Sequence, residues 1–72
     1  MGVTMTIGDR IRAVRKKRGL TQTQLAERMS VSPTHISRWE YGGMIPSLFH
    51  AINLADELDV SLDFLVGRVR QK

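Results

Sequence analysis

The chain has 72 residues, no cysteine, 42% hydrophobic and 25% charged residues, and a formal net charge of +4 at pH 7. This length allows one domain, close to the lower size limit for folding without cross-links. The absence of cysteine excludes disulfides and thiolate metal sites and is typical of a reducing compartment, so a cytoplasmic location is expected. No apolar run reaches the ~18 residues of a membrane span, and the first residues lack the features of a signal peptide.

The charged residues are unevenly distributed along the chain. Six of the eleven basic residues lie at positions 10–18, and four of the seven acidic residues lie at positions 56–63. A basic cluster at one end and an acidic cluster at the other favour a polyanionic partner on one side of the molecule. A solvated helix face would give the same basic run, so the charge pattern alone does not decide between these interpretations.

The first two predicted helices have recognisable start signals. Thr6 caps the first helix with Asp9 three residues later, and Thr21 caps the second with Gln24, so that each pair forms a capping box. Gly19 ends the first helix at the position that favours a left-handed backbone. The apolar residues predicted to hold these helices to the core are Ile7, Ile11, Val14, Leu20 and Leu25.

Three further helices follow the same pattern. Ser32, Ser47 and Ser61 are the predicted caps, and Pro33 occupies the first turn of the third helix, where a missing N–H costs nothing. The third helix is predicted to end at Glu40 or Tyr41, before Gly42 and Gly43. The apolar stripe predicted for the fourth helix is Leu48, Ala51, Leu54, Ala55 and Leu58, and the staples of the third and fifth helices pair Val31 with Ile36 and Val60 with Leu65.

The joint between the second and third helices, residues 29–32, indicates how these helices are arranged. A connection this short sets two helices at about 90–120°. The small Ala26 allows a close crossing, and Ile36 and Trp39 are expected to face the core, which makes Trp39 a packing residue rather than a stacking platform. The opposite face of the third helix carries Pro33, Thr34, Ser37 and Arg38. That arrangement presents a polar helix face to a groove.

The segment TQTQLAERMSVSPTHISRWEYG, residues 21–42, resembles the lambda repressor and Cro family of helix-turn-helix domains, also called the XRE family. It carries that family's T-Q-x-x-L-A, V-S and I-S-x-W-E-x-G elements. PSLFHAINLADELDVSLDFLVG, residues 46–67, is similar to the family's fourth and fifth helices. The resemblance implies an all-α, compact five-helix domain over residues 6–66, with a helix-turn-helix at helices 2 and 3. Residues 1–5 are then an extension and residues 67–72 a tail.

The resemblance implies a sequence-specific regulator of transcription, most simply a repressor, that binds double-stranded DNA as a homodimer on a two-fold operator. The recognition helix would be residues 32–41. Arg38 is expected to pair with the O6 and N7 atoms of guanine. The expected base contacts are Pro33, Thr34, Ser37 and Arg38. The expected DNA-backbone contacts are Gln22, His35 and Tyr41, together with Lys17 and Arg18 from the basic cluster.

Three further expectations concern structure. Arg15 and Glu40 match the family's ion pair between the first helix and the end of the third. Ser30 stands at the turn position usually held by glycine, where a left-handed backbone has a cost. The loop of residues 42–46 contains no Lys or Arg, which argues against readout of the minor groove through it.

The homodimer is expected to form through the C-terminal segment. Phe64, Val66 and Val69 are apolar residues near the chain end that cannot all face one small core. With neither cysteine nor a heptad repeat, the contact must come from the compact body of the domain.

Other functions stay open at this point. The chain could be an antitoxin with a toxin partner, the DNA-binding part of a longer regulator, or a protein-interaction domain that has lost DNA binding. The polar face of the third helix argues against the last of these. His35 and His50 are isolated, and no catalytic constellation is evident, so we expect no metal, no cofactor and no enzymatic activity.

Overall fold

The computed structural model describes residues 5–68 and places no strand within that range. Its five helices are α1 (Ile7–Lys17), α2 (Gln22–Met29), α3 (Pro33–Tyr41), α4 (Leu48–Leu58) and α5 (Leu62–Val66). The predicted all-α, five-helix fold is confirmed. None of the helices in the described part of the chain has both the length and the apolar character needed to cross a membrane.

One hydrophobic core lies between the five helices. The Trp39 side chain is only 2% exposed, so its predicted packing role is confirmed. The cluster consists of Ile11, Val14, Leu25, Ala26, Met29, Ile36, Trp39, Leu54, Ala55, Leu58 and Leu65. The predicted staple residues Leu20, Val31 and Val60, together with Ile7, are partly buried against it. With no cross-link available, this packing must supply most of the stability of so small a domain.

The capping predictions hold for α1 and α2. The Asp9 backbone N–H donates to the Thr6 hydroxyl over 3.1 Å, and the Thr6 N–H donates back to the Asp9 carboxylate over 3.0 Å. The hydrogen bond from the Thr6 N–H to the carboxylate lowers the pKa of Asp9, and Arg12 makes a smaller contribution in the same direction. Thr21 and Gln24 form the same reciprocal pair at 3.0 and 2.9 Å.

The three later helices differ in how their N-termini are capped. The hydroxyls of Ser47 and Ser61 accept from backbone N–H groups, as predicted. Ser32 occupies the cap position of α3, but its side chain makes no backbone cap. Its hydroxyl is instead hydrogen-bonded to Nδ1 of His35 over 2.9 Å. The capping prediction for the Ser32 side chain is therefore wrong, and the His35 N–H donates to the Ser32 carbonyl instead, over 3.0 Å.

The turn between α2 and α3 adopts the left-handed backbone expected at Ser30, with φ 58° and ψ 41°. In this conformation the Val31 N–H donates to the Ala26 carbonyl over 3.0 Å and closes the end of α2. An L-residue pays for this conformation, and glycine does not. The short turn is thus retained with a less favourable residue at its centre.

The predicted buried stripe of α4 is correct except at its first residue. Ala51, Leu54, Ala55 and Leu58 are buried, whereas Leu48 is 65% exposed. Leu48 lies at the edge of the stripe in the first turn, where α4 has not yet met the core. Helical periodicity places Leu48 near that stripe without showing that another helix covers it.

Gly8 allows an unusually close contact between α1 and the last turn of α3. A Cβ atom at this position would lie 2.4 Å from the Trp39 carbonyl oxygen and 2.6 Å from that of Glu40. Glycine inside a helix costs about 1 kcal/mol relative to alanine. Here it permits the backbone of α1 to approach the backbone of α3.

We predict that Gly8→Ala destabilises the domain by about 1–3 kcal/mol, since the added methyl group overpacks a backbone contact and outweighs the better helix propensity. Urea unfolding followed by circular dichroism measures this difference. Gly43→Ala is the matched control, because a Cβ there would meet nothing closer than 3.8 Å. Equal stability of the two variants would contradict the close contact.

Candidate nucleic-acid interface

The two faces of α3 differ sharply in burial. Ile36 and Trp39 are 0% and 2% exposed, so one face is fixed to the core. On the other face Pro33, Thr34 and Arg38 are exposed and Ser37 is half-buried. The structure therefore brings the four predicted base-contacting residues together on one accessible face. Base reading by a single helix requires such a grouping.

The end of α3 is attached to α1 by an ion pair. Arg15 Nε donates to Glu40 Oε2 over 2.5 Å, and Arg15 Nη2 donates to Glu40 Oε1 over 3.0 Å. Both side chains are buried, at 9% and 0% exposure. These hydrogen bonds raise the pKa of Arg15. Arg15 Nη1 also donates to the Leu20 carbonyl over 2.9 Å, which ties in the chain after α1.

Gln22, an expected phosphate contact, also belongs to this network. Its Nε2 donates to Glu40 Oε1 over 3.1 Å at the start of α2. A side-chain amide nitrogen carries two hydrogens, so the second can donate to a phosphate while the first holds Glu40. The geometry thus gives Gln22 a structural partner that the sequence analysis did not include.

Arg12 and Tyr41 form a second link between α1 and α3. The guanidinium of Arg12 lies 5.3 Å from the centroid of the Tyr41 ring, a cation–π distance. Its Nη1 donates to the Glu40 carbonyl over 3.3 Å, and its Nη2 pairs with Asp9 at 3.1 Å. Tyr41 itself is 69% exposed, so it remains accessible as an expected DNA-backbone contact. The sequence analysis gave Arg12 only a share in the basic cluster and missed this role.

Two further expected backbone contacts, Lys17 at the end of α1 and Arg18 directly after it, lie in different surroundings. Lys17 is exposed. Arg18 Nε donates to the Leu58 carbonyl over 2.8 Å, and its Nη2 donates to that of Asp59 over 3.1 Å. It thereby satisfies carbonyls at the C-terminal end of α4, where a cation is favourable. A guanidinium has five N–H donors, so those not bound to these carbonyls stay available to a phosphate.

His35 and His50 flank the buried tryptophan. The His35 ring lies 5.9 Å from the Trp39 ring, between centroids, and the His50 ring lies 5.0 Å from it. His35 is exposed and hydrogen-bonded to Ser32, so its ring is held at the start of α3. The contact of His50 with Trp39 was missed, because its sequence position gives no sign of which helix it faces.

Met44 is a further residue of this surface that the sequence analysis did not identify. It lines a shallow concavity of about 130 Å³ together with Thr34, His35 and Arg38. The Met44 N–H donates to the Arg38 carbonyl over 3.2 Å, so the loop after α3 is held beside the expected base-reading face. The concavity has room for a small apolar group such as the methyl of thymine, which base pairs present in the major groove.

The expected dimer residues are only partly described. Phe64 and Val66 are 39% and 40% exposed, and Val69 lies outside the described residues. A larger exposed apolar surface lies elsewhere, at the start of α4. We call it the α4 apolar face, and it consists of Ile45, Leu48, Phe49 and Ile52.

Comparison with known proteins places this geometry among DNA-binding domains. A family model described as Helix-turn-helix matches residues 11–65. The immunity repressor protein of Bacillus phage phi105 is 40% identical over 63 residues, which are 88% of this chain and 44% of that protein. The crystal structure of the P22 c2 repressor protein with a synthetic operator has a TM-score of 0.86 at 35% identity, covering 92% of this chain and 100% of that one.

The crystal structure of SinR, a master regulator for biofilm formation, in complex with DNA is similar as well. Its TM-score is 0.78 at 33% identity, over 83% of this chain and 97% of that one. The chain spans about half the length of the curated relatives it matches.

We predict that Glu40→Ala destabilises the domain by about 3–5 kcal/mol, because it leaves the buried guanidinium of Arg15 without its partner. The loss is large enough that the variant is expected to be mostly unfolded at physiological temperature. Thermal melts followed by circular dichroism test it, with the exposed Glu27→Ala as the control. Superimposable melts of the two variants would show that the pair contributes little.

Proposed function

Because the chain belongs to the helix-turn-helix family, as its resemblance to lambda repressor and Cro implied, we propose that it binds duplex DNA at specific sequences and regulates transcription. In this proposal α3 enters the major groove, and occupancy of the operator represses a promoter. The observation that carries the proposal is the exposed polar face of α3 opposite a face fixed in the core. A helix held in this way meets DNA in one orientation only.

The roles proposed for the side chains of α3 follow from their chemistry. Arg38 pairs bidentately with guanine, while Thr34 and Ser37 donate to or accept from base edges and Pro33 makes apolar contact. Met44 adds an apolar contact to the thymine methyl beside Arg38. The proposed backbone contacts fix the register on the duplex and carry no sequence information, and they are Gln22, Lys17, Arg18, His35 and Tyr41.

The proposed active form is a homodimer on a two-fold operator. One domain of this size reads few base pairs, and two linked half-sites multiply affinity and specificity. The immunity repressor of phage phi105 and the operator-bound P22 c2 repressor support repression as the mode of action. We propose that the protein acts in the cytoplasm by binding DNA and not as an enzyme.

A second candidate concerns the whole protein rather than this domain. The matched segments make up 44%, 57% and 50% of three of the curated relatives, which favours a DNA-binding part of a longer regulator. The SinR protein/SinI protein complex supports a protein partner. A toxin partner, with this chain as its antitoxin, is an alternative that no relative named above supports. Both candidates share the same DNA-reading surface, so selection of bound sites from random duplexes tests that shared step first.

We predict that affinity for a selected duplex falls steeply with salt, because phosphate contacts release counterions, at a slope of about −0.9 per phosphate neutralised. Fluorescence titrations at several salt concentrations measure the slope. Lys17→Gln is expected to reduce its magnitude by about 1. Arg68→Gln, which lies after the end of α5 and is not a proposed DNA contact, is the control and is expected to leave the slope unchanged. An affinity that barely moves with salt would exclude phosphate contact.

We predict that Arg38→Ala relaxes specificity at a single base pair and weakens binding to the preferred site by about 1–3 kcal/mol, roughly 5–150-fold. Gln22→Ala is expected to weaken all sequences alike, and a thermal melt checks that losing its bond to Glu40 has not unfolded the domain. Competition titrations against single-base variants of the site provide the measurement. A uniform loss in Arg38→Ala, with the base preference intact, would make Arg38 a phosphate contact.

A further inference from the structure

The α4 apolar face is the most exposed apolar surface in the described part of the chain. Ile45 is 79%, Leu48 65%, Phe49 81% and Ile52 41% exposed. Residues three and four apart on a helix are neighbours, so Phe49 and Leu48 each adjoin Ile52 and form one continuous surface. Single exposed apolar residues are ordinary, whereas a contiguous group marks an interaction site.

The domain itself does not need these side chains. The opposite side of α4 supplies Ala51, Leu54, Ala55 and Leu58 to the core, and all four are buried. Ile52 is partly covered within its own domain, whereas Ile45 and Phe49, at 79% and 81% exposure, add little to packing within one copy. Their solvent exposure is a cost that a partner would remove.

We propose that the α4 apolar face is the surface through which two copies of this chain contact each other on adjacent half-sites. The inference rests on the proposed DNA-binding function and names the contact that function requires. The face begins at Ile45, directly after Met44, whose N–H is bonded to the Arg38 carbonyl over 3.2 Å. It is thus fixed relative to the expected base-reading helix, so a contact between two such faces sets the spacing of the two helices.

The dimensions of the domain are compatible with a small contact between two copies on adjacent half-sites. Half-sites one helical turn apart place two recognition helices about 34–36 Å from each other. The domain measures 36 × 24 × 22 Å. Two such bodies at that separation meet only along a narrow strip, which a few side chains can fill.

The composition of the face favours a second copy over other occupants. No Asp, Glu, Lys or Arg occurs in residues 45–52. A two-fold contact brings the residues on its axis near their own symmetry mates, so charged side chains at its centre would repel. The absence of basic residues also argues against DNA as the occupant.

The α5 surface is the weaker candidate for the same contact. Phe64 and Val66 are about half as exposed as Phe49, and Asp63 lies beside Phe64 in the same short helix. The α4 apolar face has four residues, whereas a stable interface has about 20–30 residues on each side. Two copies should therefore associate on DNA and stay monomeric in its absence.

The first test compares single and paired half-sites. The parent chain is expected to fill paired half-sites cooperatively, with the second copy binding at least about 10-fold more tightly than to a single half-site. Phe49→Asp should abolish that cooperativity and leave single-site affinity unchanged, since Phe49 packs against nothing in its own domain. Phe64→Asp, with its fold verified by a thermal melt, is the matched control and should keep the cooperativity.

The second test uses the absence of cysteine from the chain, so that Phe49→Cys carries a single thiol. On paired half-sites one turn apart, mild oxidation should cross-link the two copies of Phe49→Cys in high yield. Phe64→Cys, and Phe49→Cys on sites shifted by half a turn, should give no more product than without DNA.

Several results would overturn the inference. Full cooperativity in Phe49→Asp would exclude the α4 apolar face, and loss of cooperativity in Phe64→Asp alone would move the contact to α5. Independent filling of the two half-sites by the parent chain would leave the α4 apolar face to a different partner. Loss of single-site affinity in Phe49→Asp would make Phe49 a DNA-binding residue. Failure of the parent chain to bind any selected duplex would instead overturn the proposed function on which the inference rests.

Discussion

The orientation of α3 depends on how its last turn is held against α1 and α2. The Glu40 carboxylate accepts from Arg15 and Gln22, and the Glu40 carbonyl accepts from Arg12. Gly8 lets the α1 backbone approach the same turn at a distance that a side chain would prevent. Hydrogen bonds to Glu40 and the close backbone contact at Gly8 thus both fix the last turn of α3. In a domain with no cross-link, they decide which way the exposed face of α3 points.

The same network changes the meaning of the basic cluster in α1. Four of its six residues donate hydrogen bonds within the domain, namely Arg10, Arg12, Arg15 and Arg18. Arg10 donates to the Met5 carbonyl over 2.8 Å, and Arg18 holds the end of α4. A run of basic residues in a sequence indicates a positive surface, but here much of it serves the fold. Of the six, Arg15 is buried, Arg10 and Arg12 are half-buried, and Lys16, Lys17 and Arg18 are exposed.

The features that could be predicted from sequence are those set by local spacing or by a family pattern. The capping boxes at Thr6 and Thr21 involve residues three apart, and the pairing of Arg15 with Glu40 follows from the resemblance. The features that could not be predicted depend on which helices meet. Leu48 has the period of a buried residue but no helix over it, and Arg18 reaches carbonyls 40 residues away in the chain. Periodicity identifies an apolar stripe and does not say what covers its edge.

The attachment of α3 through its final turn separates two sets of residues along one short helix. Trp39 and Glu40 are buried and hold it in place. Pro33 and Thr34 near its start are exposed and Ser37 is half-buried, so they contribute little to packing. Substitutions at positions with no shared contacts act independently on stability. The DNA sequence that the domain recognises could therefore change by substitution of a few residues at the start of α3, without changes to the core. Related domains could diverge in the DNA they recognise while keeping the same scaffold.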